Sequence, residues 1–98
     1  MKVKVTRRAE ERIEVVDRFW RTNRLEAPEL LKEELVMAEV QLSQDPYAGR
    51  ACVMGGKQLR RLLLPRTEQW LYYVVRQKQQ VVVVQTIWGA RRGREPKL

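Results

Sequence analysis

The chain has 98 residues, 44% of them hydrophobic and 33% charged, enough for one folded domain and too few for two cores. A single cysteine and no histidine exclude an internal disulfide, a thiolate zinc cluster and any chemistry that needs imidazole. Apolar runs stay a few residues long, so neither a transmembrane helix nor a signal-peptide core is expected, and the expected compartment is the cytoplasm. The formal net charge of +8 points to an anionic partner: nucleic acid, an acidic protein or an anionic membrane.

That charge is segregated. Residues 1–49 carry nine basic and ten acidic side chains, a net of −1, whereas residues 50–98 carry eleven basic and two acidic, a net of +9. The two carboxylates of the second half are Glu68 and Glu95. Segregation raises self-repulsion within a fold, so a basic working surface built by the second half accounts for it better than a solubility requirement does.

Lys2 to Thr6 alternates polar and apolar residues and predicts a short strand, with Thr6 as N-cap of the next element. Residues 7–23 place Ala9, Ile13, Val16 and Trp20 at i, i+4, i+7 and i+11, the apolar stripe of a helix, with the Phe19–Trp20 pair read as core. Asn23 is the expected helix stop, and Pro28 suits the first turn of a second helix. Residues 27–43 repeat the stripe through Leu31, Leu35, Ala38 and Leu42, which completes a helical hairpin.

Asp45 to Gly49 reads as a turn and residues 50–57 as loop, since Gly55-Gly56-Lys57 is too short for a phosphate-binding loop. Three strands follow at 58–64, 69–76 and 81–88, the last two joined as an antiparallel hairpin by Gln77 to Gln80. The four-valine run from Val81 to Val84 suggests an interior strand. A basic, flexible tail is expected over about 90–98. The order β-α-α-β-β-β predicts a single α+β domain over 1–98, one antiparallel sheet packed on one face by the helical hairpin.

Little catalysis fits this composition. Paired-carboxylate hydrolysis would have to use Glu68 and Glu95, at a loop and in the tail. Cys52 has no histidine to activate it and reads as a small buried hydrophobe. No metal site and no cofactor is expected. Metal-independent ribonucleolytic transfer survives, with cations stabilising a phosphorane and a Lys or Tyr moving protons. Arg60 and Arg61 alternate on one strand, as do Tyr72 and Tyr73 on the next, so at most one of each pair faces a shared groove; the tyrosines read as core. The same cations also suit simple docking on an acidic or nucleic-acid-bound surface, because Arg binds carboxylate and phosphate in a planar fork.

Four blocks in order, Val-Lys-Val-Thr-Arg-Arg-Ala-Glu-Glu at the start, Leu59 to Thr67, Leu71 to Val74 and Ile87 to Arg94, resemble the RelE/ParE superfamily of type II toxin–antitoxin toxins over nearly the whole chain. The resemblance implies a small bacterial toxin, of the kind linked to plasmid stabilization, that arrests growth and is neutralised by a cognate antitoxin through an acidic, partly disordered segment, in a toxin–antitoxin hetero-oligomer. RelE-like members cleave mRNA on the ribosome, and ParE-like members inhibit DNA gyrase. Nuclease members carry an arginine at the start of the penultimate strand and a His or Tyr at the end of the last; the matching positions here are Gln69 and Gly89, after Trp88. With the Leu-Leu-Leu-Pro-Arg-Thr run and Tyr72-Tyr73, this favours the ParE-like branch. A gyrase inhibitor would make contact through Arg60, Arg61, Arg66, Trp88, Arg91, Arg92 and Arg94. An mRNA endoribonuclease would draw on Lys57, Arg61, Arg66 and Tyr73. A plain nucleic-acid-binding module would account for the charge but not for the near-neutral helical hairpin.

Overall fold

A computed structural model describes residues 1–96; the last two positions of the expected flexible tail lie outside the described residues. Seven elements follow in order: β1 (Lys2–Val5), α1 (Arg7–Asn23), α2 (Leu30–Gln44), β2 (Arg50–Met54), β3 (Lys57–Leu64), β4 (Gln69–Arg76) and β5 (Val81–Gly89). The α+β architecture is as expected, two helices on a sheet, with two corrections. The sheet has five strands in the order β1-β5-β4-β3-β2, and it is mixed, because β1 runs parallel to β5 while the other pairs are antiparallel.

The added strand comes from residues expected to be loop. Met54 pairs with Lys57, so Gly55 and Gly56 form a two-residue hairpin turn. Both have positive φ, 55° and 76°, which glycine adopts at no steric cost. These glycines therefore reverse the chain.

Thr6 caps α1 as expected, its Oγ1 accepting from the Ala9 N–H at 3.0 Å. Replacing Thr6 with Ala is expected to cost about 1 kcal/mol, seen as a lower urea midpoint with an unchanged slope. Ala9 is fully buried and Ile13, Val16 and Trp20 pack beside it, as the stripe requires. Phe19 does not join them: it is 69% exposed, since one residue along a helix turns it out of the stripe that Val16 and Trp20 define. Trp20 donates Nε1–H to the Ala27 carbonyl at 2.8 Å, which fixes the connector after α1. Asn23 stays helical, and the C-cap Arg24 has φ −132°, so no left-handed residue ends this helix. The second helix begins at Leu30, not 27, because Arg24 to Glu29 form turns in which Arg21 grips Glu29 through two hydrogen bonds of 2.6 and 2.7 Å. The same guanidinium bonds Asp17 at 2.8 Å.

Leu31, Leu35, Ala38 and Leu42 of α2 meet Leu64, Leu71, Tyr73, Val82, Val84 and Ile87 in the main core. Glu34 is buried beside them. Its carboxylate accepts from the Arg66 N–H at 3.0 Å, the Thr67 N–H at 2.8 Å and the Thr67 hydroxyl at 2.7 Å, tying α2 to the β3–β4 turn. The other sheet face holds a smaller cluster of Met54, Leu59 and Tyr72, with Cys52, Trp70, Val74 and Trp88 around it. No helix among the described residues is long and apolar enough to cross a membrane.

Candidate functional site: the open face of the sheet

One irregularity decides which side chains reach the uncovered face. Tyr72 pairs with Thr86 but Tyr73 pairs with Val84, so Gln85 is an extra residue in β5. Upstream of it Val82 and Val84 point at the helices; downstream it is Ile87 that does so. Strict alternation would have sent Trp88 to the helices with Val82 and Val84. The bulge puts Trp88 on the open face, directly across from Trp70.

Arginines cover both indoles. The Arg61 guanidinium lies 4.0 Å from the Trp70 ring centre. Arg92, Arg12 and Arg94 lie 4.3, 5.2 and 5.9 Å from that of Trp88. The Trp88 Nε1–H donates to the Arg94 carbonyl at 2.8 Å, which folds the C-terminal segment back over the strand end. Register places Lys2, Lys4, Arg50, Lys57 and Arg76 on the same face. None of the five strands contains an Asp or Glu. This face is thus cationic and aromatic, and its charges are not cancelled within the sheet.

The residues expected at the target-binding surface divide. Arg61, Trp88, Arg92 and Arg94 share the open face. Arg60 points the other way at the sheet edge, its Nη1–H donating to the Gly49 carbonyl at 2.7 Å, with its guanidinium over the Tyr47 ring at 4.9 Å. Arg66 sits in the turn held by Glu34. Arg91 pairs with Glu68, Nη2–H to Oε1 at 2.9 Å.

The four nuclease candidates are not brought together. Lys57 opens β3 and Arg66 lies in the turn past its other end, so the seven steps of the strand, roughly 23 Å, stand between them. Tyr73 is fully buried among the helices, its hydroxyl accepting from the Gly49 N–H at 2.8 Å. Burial pushes the Tyr73 phenol above its ordinary value of 10.0, partly offset by that hydrogen bond and by Arg60. A group with a raised folded pKa stabilises the fold fully below the unfolded value and loses that contribution as pH rises through the folded one. Stability is therefore expected to hold up to about pH 10 and to fall above it, and Tyr73→Phe is expected to remove part of that alkaline fall in urea titrations.

Cys52 is half-buried on the open face; burial raises its thiol pKa above 9.0, with Arg61 opposing the rise and Glu95 adding to it. No group of three His, Cys, Asp or Glu side chains able to hold a metal occurs among the described residues.

Sequence reasoning missed Arg12 and Trp70. Arg12 stands at the edge of the α1 stripe, between Ala9 and Val16 in i+3 and i+4 spacing, where a long side chain reaches round the helix toward the sheet. Trp70 alternates with Leu71, so parity sets it on the face opposite Leu71, and the pairing of Arg61 with Tyr72 and of Leu63 with Trp70 then brings it to the face of Arg61.

Comparison with known proteins locates the fold. No family model matches the chain, and no curated protein matches it in sequence. Among solved structures it is similar to a chain of the intact E. coli RelBE toxin–antitoxin complex, with a TM-score of 0.55 and 22% identity, over 92% of this chain and 96% of that one. The likeness is one of fold. It spans nearly the whole length of both chains, so the two helices and the sheet are shared as one unit.

Proposed function

We propose that this chain is the toxin of a toxin–antitoxin pair, arrests growth by seating its open sheet face on DNA gyrase, and is neutralised by an acidic, partly disordered antitoxin segment. The observation that carries this reading is the open face itself: guanidinium groups stacked on Trp70 and Trp88, on a sheet with no carboxylate in its strands. Such a surface binds anionic partners without needing an acid–base pair. The nuclease set offers no shared locus, because Tyr73 is engaged with Gly49 on the far side. The fold likeness to a chain from a toxin–antitoxin complex supports an antitoxin as partner. The test is plasmid supercoiling by purified gyrase: equimolar toxin is expected to block it, and unchanged supercoiling at stoichiometric excess would remove the gyrase target.

One observation favours a second target. Arg61 over Trp70 and Arg92 over Trp88 are the paired cation and ring that unstacked RNA bases and their phosphates engage. A toxin acting on ribosome-bound mRNA would give new cleavage stops in primer extension; intact message with active ribosomes would exclude it.

A further inference from the structure

The helix α2 is apolar on two sides. Leu31, Leu35, Ala38 and Leu42 fill the core. On the side turned away from the sheet, where a surface helix ordinarily carries charge, stand Val36 and Val40, 61% and 52% exposed, with Met37 beside them at 72%. The patch continues into a groove of about 480 Å³ between α2 and the edge of β3, where Met37 and Val40 meet Leu63, itself 42% exposed. That stretch of edge is open because the pairing of β2 with β3 ends at Arg61. Single exposed apolar residues are ordinary, but four gathered around one groove mark an interaction surface.

What covers it follows from charge. Among the ionisable side chains of α2, Glu34 is engaged by the β3–β4 turn, which leaves Glu33 and Glu39 against Lys32. Arg66 at the groove mouth balances the count, so this surface is close to neutral. An acidic segment finds little to hold here and belongs on the arginines of the sheet. A chain of net charge +8 meets its own copy with least repulsion where charge is low, and here the basic strands lie behind the helix.

The pattern is also self-complementary. Two α2 helices crossing antiparallel about a two-fold axis near Met37 set Val36 of one copy against Val40 of the other. Glu33 then meets Ser43 and Gln44, and no like charges are opposed. We propose that this outer side of α2 is a self-association surface, two chains pairing through Val36, Met37 and Val40 with both cationic sheet faces left outward. The three residues lie outside the open face, and the pairing stands whether or not the chain is a toxin.

Sedimentation equilibrium on the full chain tests it. The mass is expected to rise from one 11.7 kDa chain toward two over about 2–500 µM, with half the chains paired near roughly 100 µM, the weak range of a contact made by one helix face. Val40→Glu is expected to weaken pairing roughly tenfold or more. Glutamate favours an exposed helical position over valine, so the urea midpoint at low concentration should not fall. Val53→Glu alters a comparably exposed valine on the edge strand β2 and is expected to leave pairing within about twofold. Raising NaCl from about 0.1 to about 0.5 M is expected to hold or tighten the dimer, since screening relieves repulsion between two basic chains. A one-chain mass at every concentration would overturn the proposal. So would equal losses in Val53→Glu and Val40→Glu, or a dimer that salt dissociates.

Discussion

Replacing Gly49 with alanine is expected to destabilise the protein by about 3 kcal/mol and to lower Tm by roughly 10–20 °C. A Cβ there would stand 2.6 Å from Tyr73 Oη, 2.7 Å from the Arg61 carbonyl oxygen and 2.8 Å from Tyr73 Cε1. None of these atoms can yield cheaply. The carbonyl belongs to the β3 backbone, and the Tyr73 ring is fully buried between sheet and helices. Moving the ring also breaks the 2.8 Å hydrogen bond from the Gly49 N–H. The φ of Gly49 is not positive, so the requirement is for space and not for backbone freedom. Tyr73→Phe separates the two effects: it keeps the ring and orphans one buried N–H, and about 1–2 kcal/mol is expected from it. Urea unfolding followed by tryptophan fluorescence measures both; a cost below about 1 kcal/mol for Gly49→Ala would contradict this packing.

Glu34→Ala is the second large effect, again about 3 kcal/mol. One carboxylate accepts three hydrogen bonds from Arg66 and Thr67 across the gap between α2 and the β3–β4 turn. Alanine leaves two backbone donors without their acceptor, and opens a cavity under Pro65 to Glu68. Glu34→Gln keeps the shape but turns one acceptor into a donor, so an intermediate loss is expected. Hydrogen exchange at Arg66 and Thr67 reads the effect locally: both turn amides should lose protection in Glu34→Ala before those of β3 do. Retained protection there would show that the turn holds itself.

Much of this fold could be read from the chain because periodicity reports which side of an element is apolar. The i, i+4, i+7, i+11 stripes gave α1 and the core positions of α2, and strand composition gave β3, β4 and β5. Direction and partners are not encoded that way. Nothing in Lys-Val-Lys-Val says that β1 will run parallel to β5, because that pairing spans some eighty residues. The β2 strand was hidden by five residues with no clear alternation, though Gly55-Gly56 carried a hairpin signal. Phe19 neighbours a core tryptophan, but aromatic character alone does not place it in the stripe, because one residue along a helix turns it out to solvent. Glu34 escaped notice, since a glutamate in a helix with four other carboxylates within eight positions reads as solvated surface until its donors arrive from residues 66 and 67.

The candidate site was legible as a charge and not as a place. Alternation showed that Arg60 and Arg61 must part, yet not which would face the helices. That follows from the pairing of Arg61 with Tyr72 and Arg60 with Tyr73, and from which tyrosine the Gly49 N–H reaches. Trp88 arrives on the open face through the extra residue at Gln85, a break in alternation that strand periodicity does not reveal. Arg12 comes from the half of the chain with net negative charge, where a search for a basic surface does not begin.

The most direct test of the account is growth after induced expression, comparing the natural chain with a variant carrying Arg12→Gln, Arg61→Gln and Arg92→Gln and with a control carrying Arg7→Gln and Arg18→Gln, each checked for folding by its urea midpoint. The natural chain and the control should arrest growth, and the open-face variant should form many more colonies than either. Arrest by the open-face variant as strong as by the natural chain would contradict a role for this face.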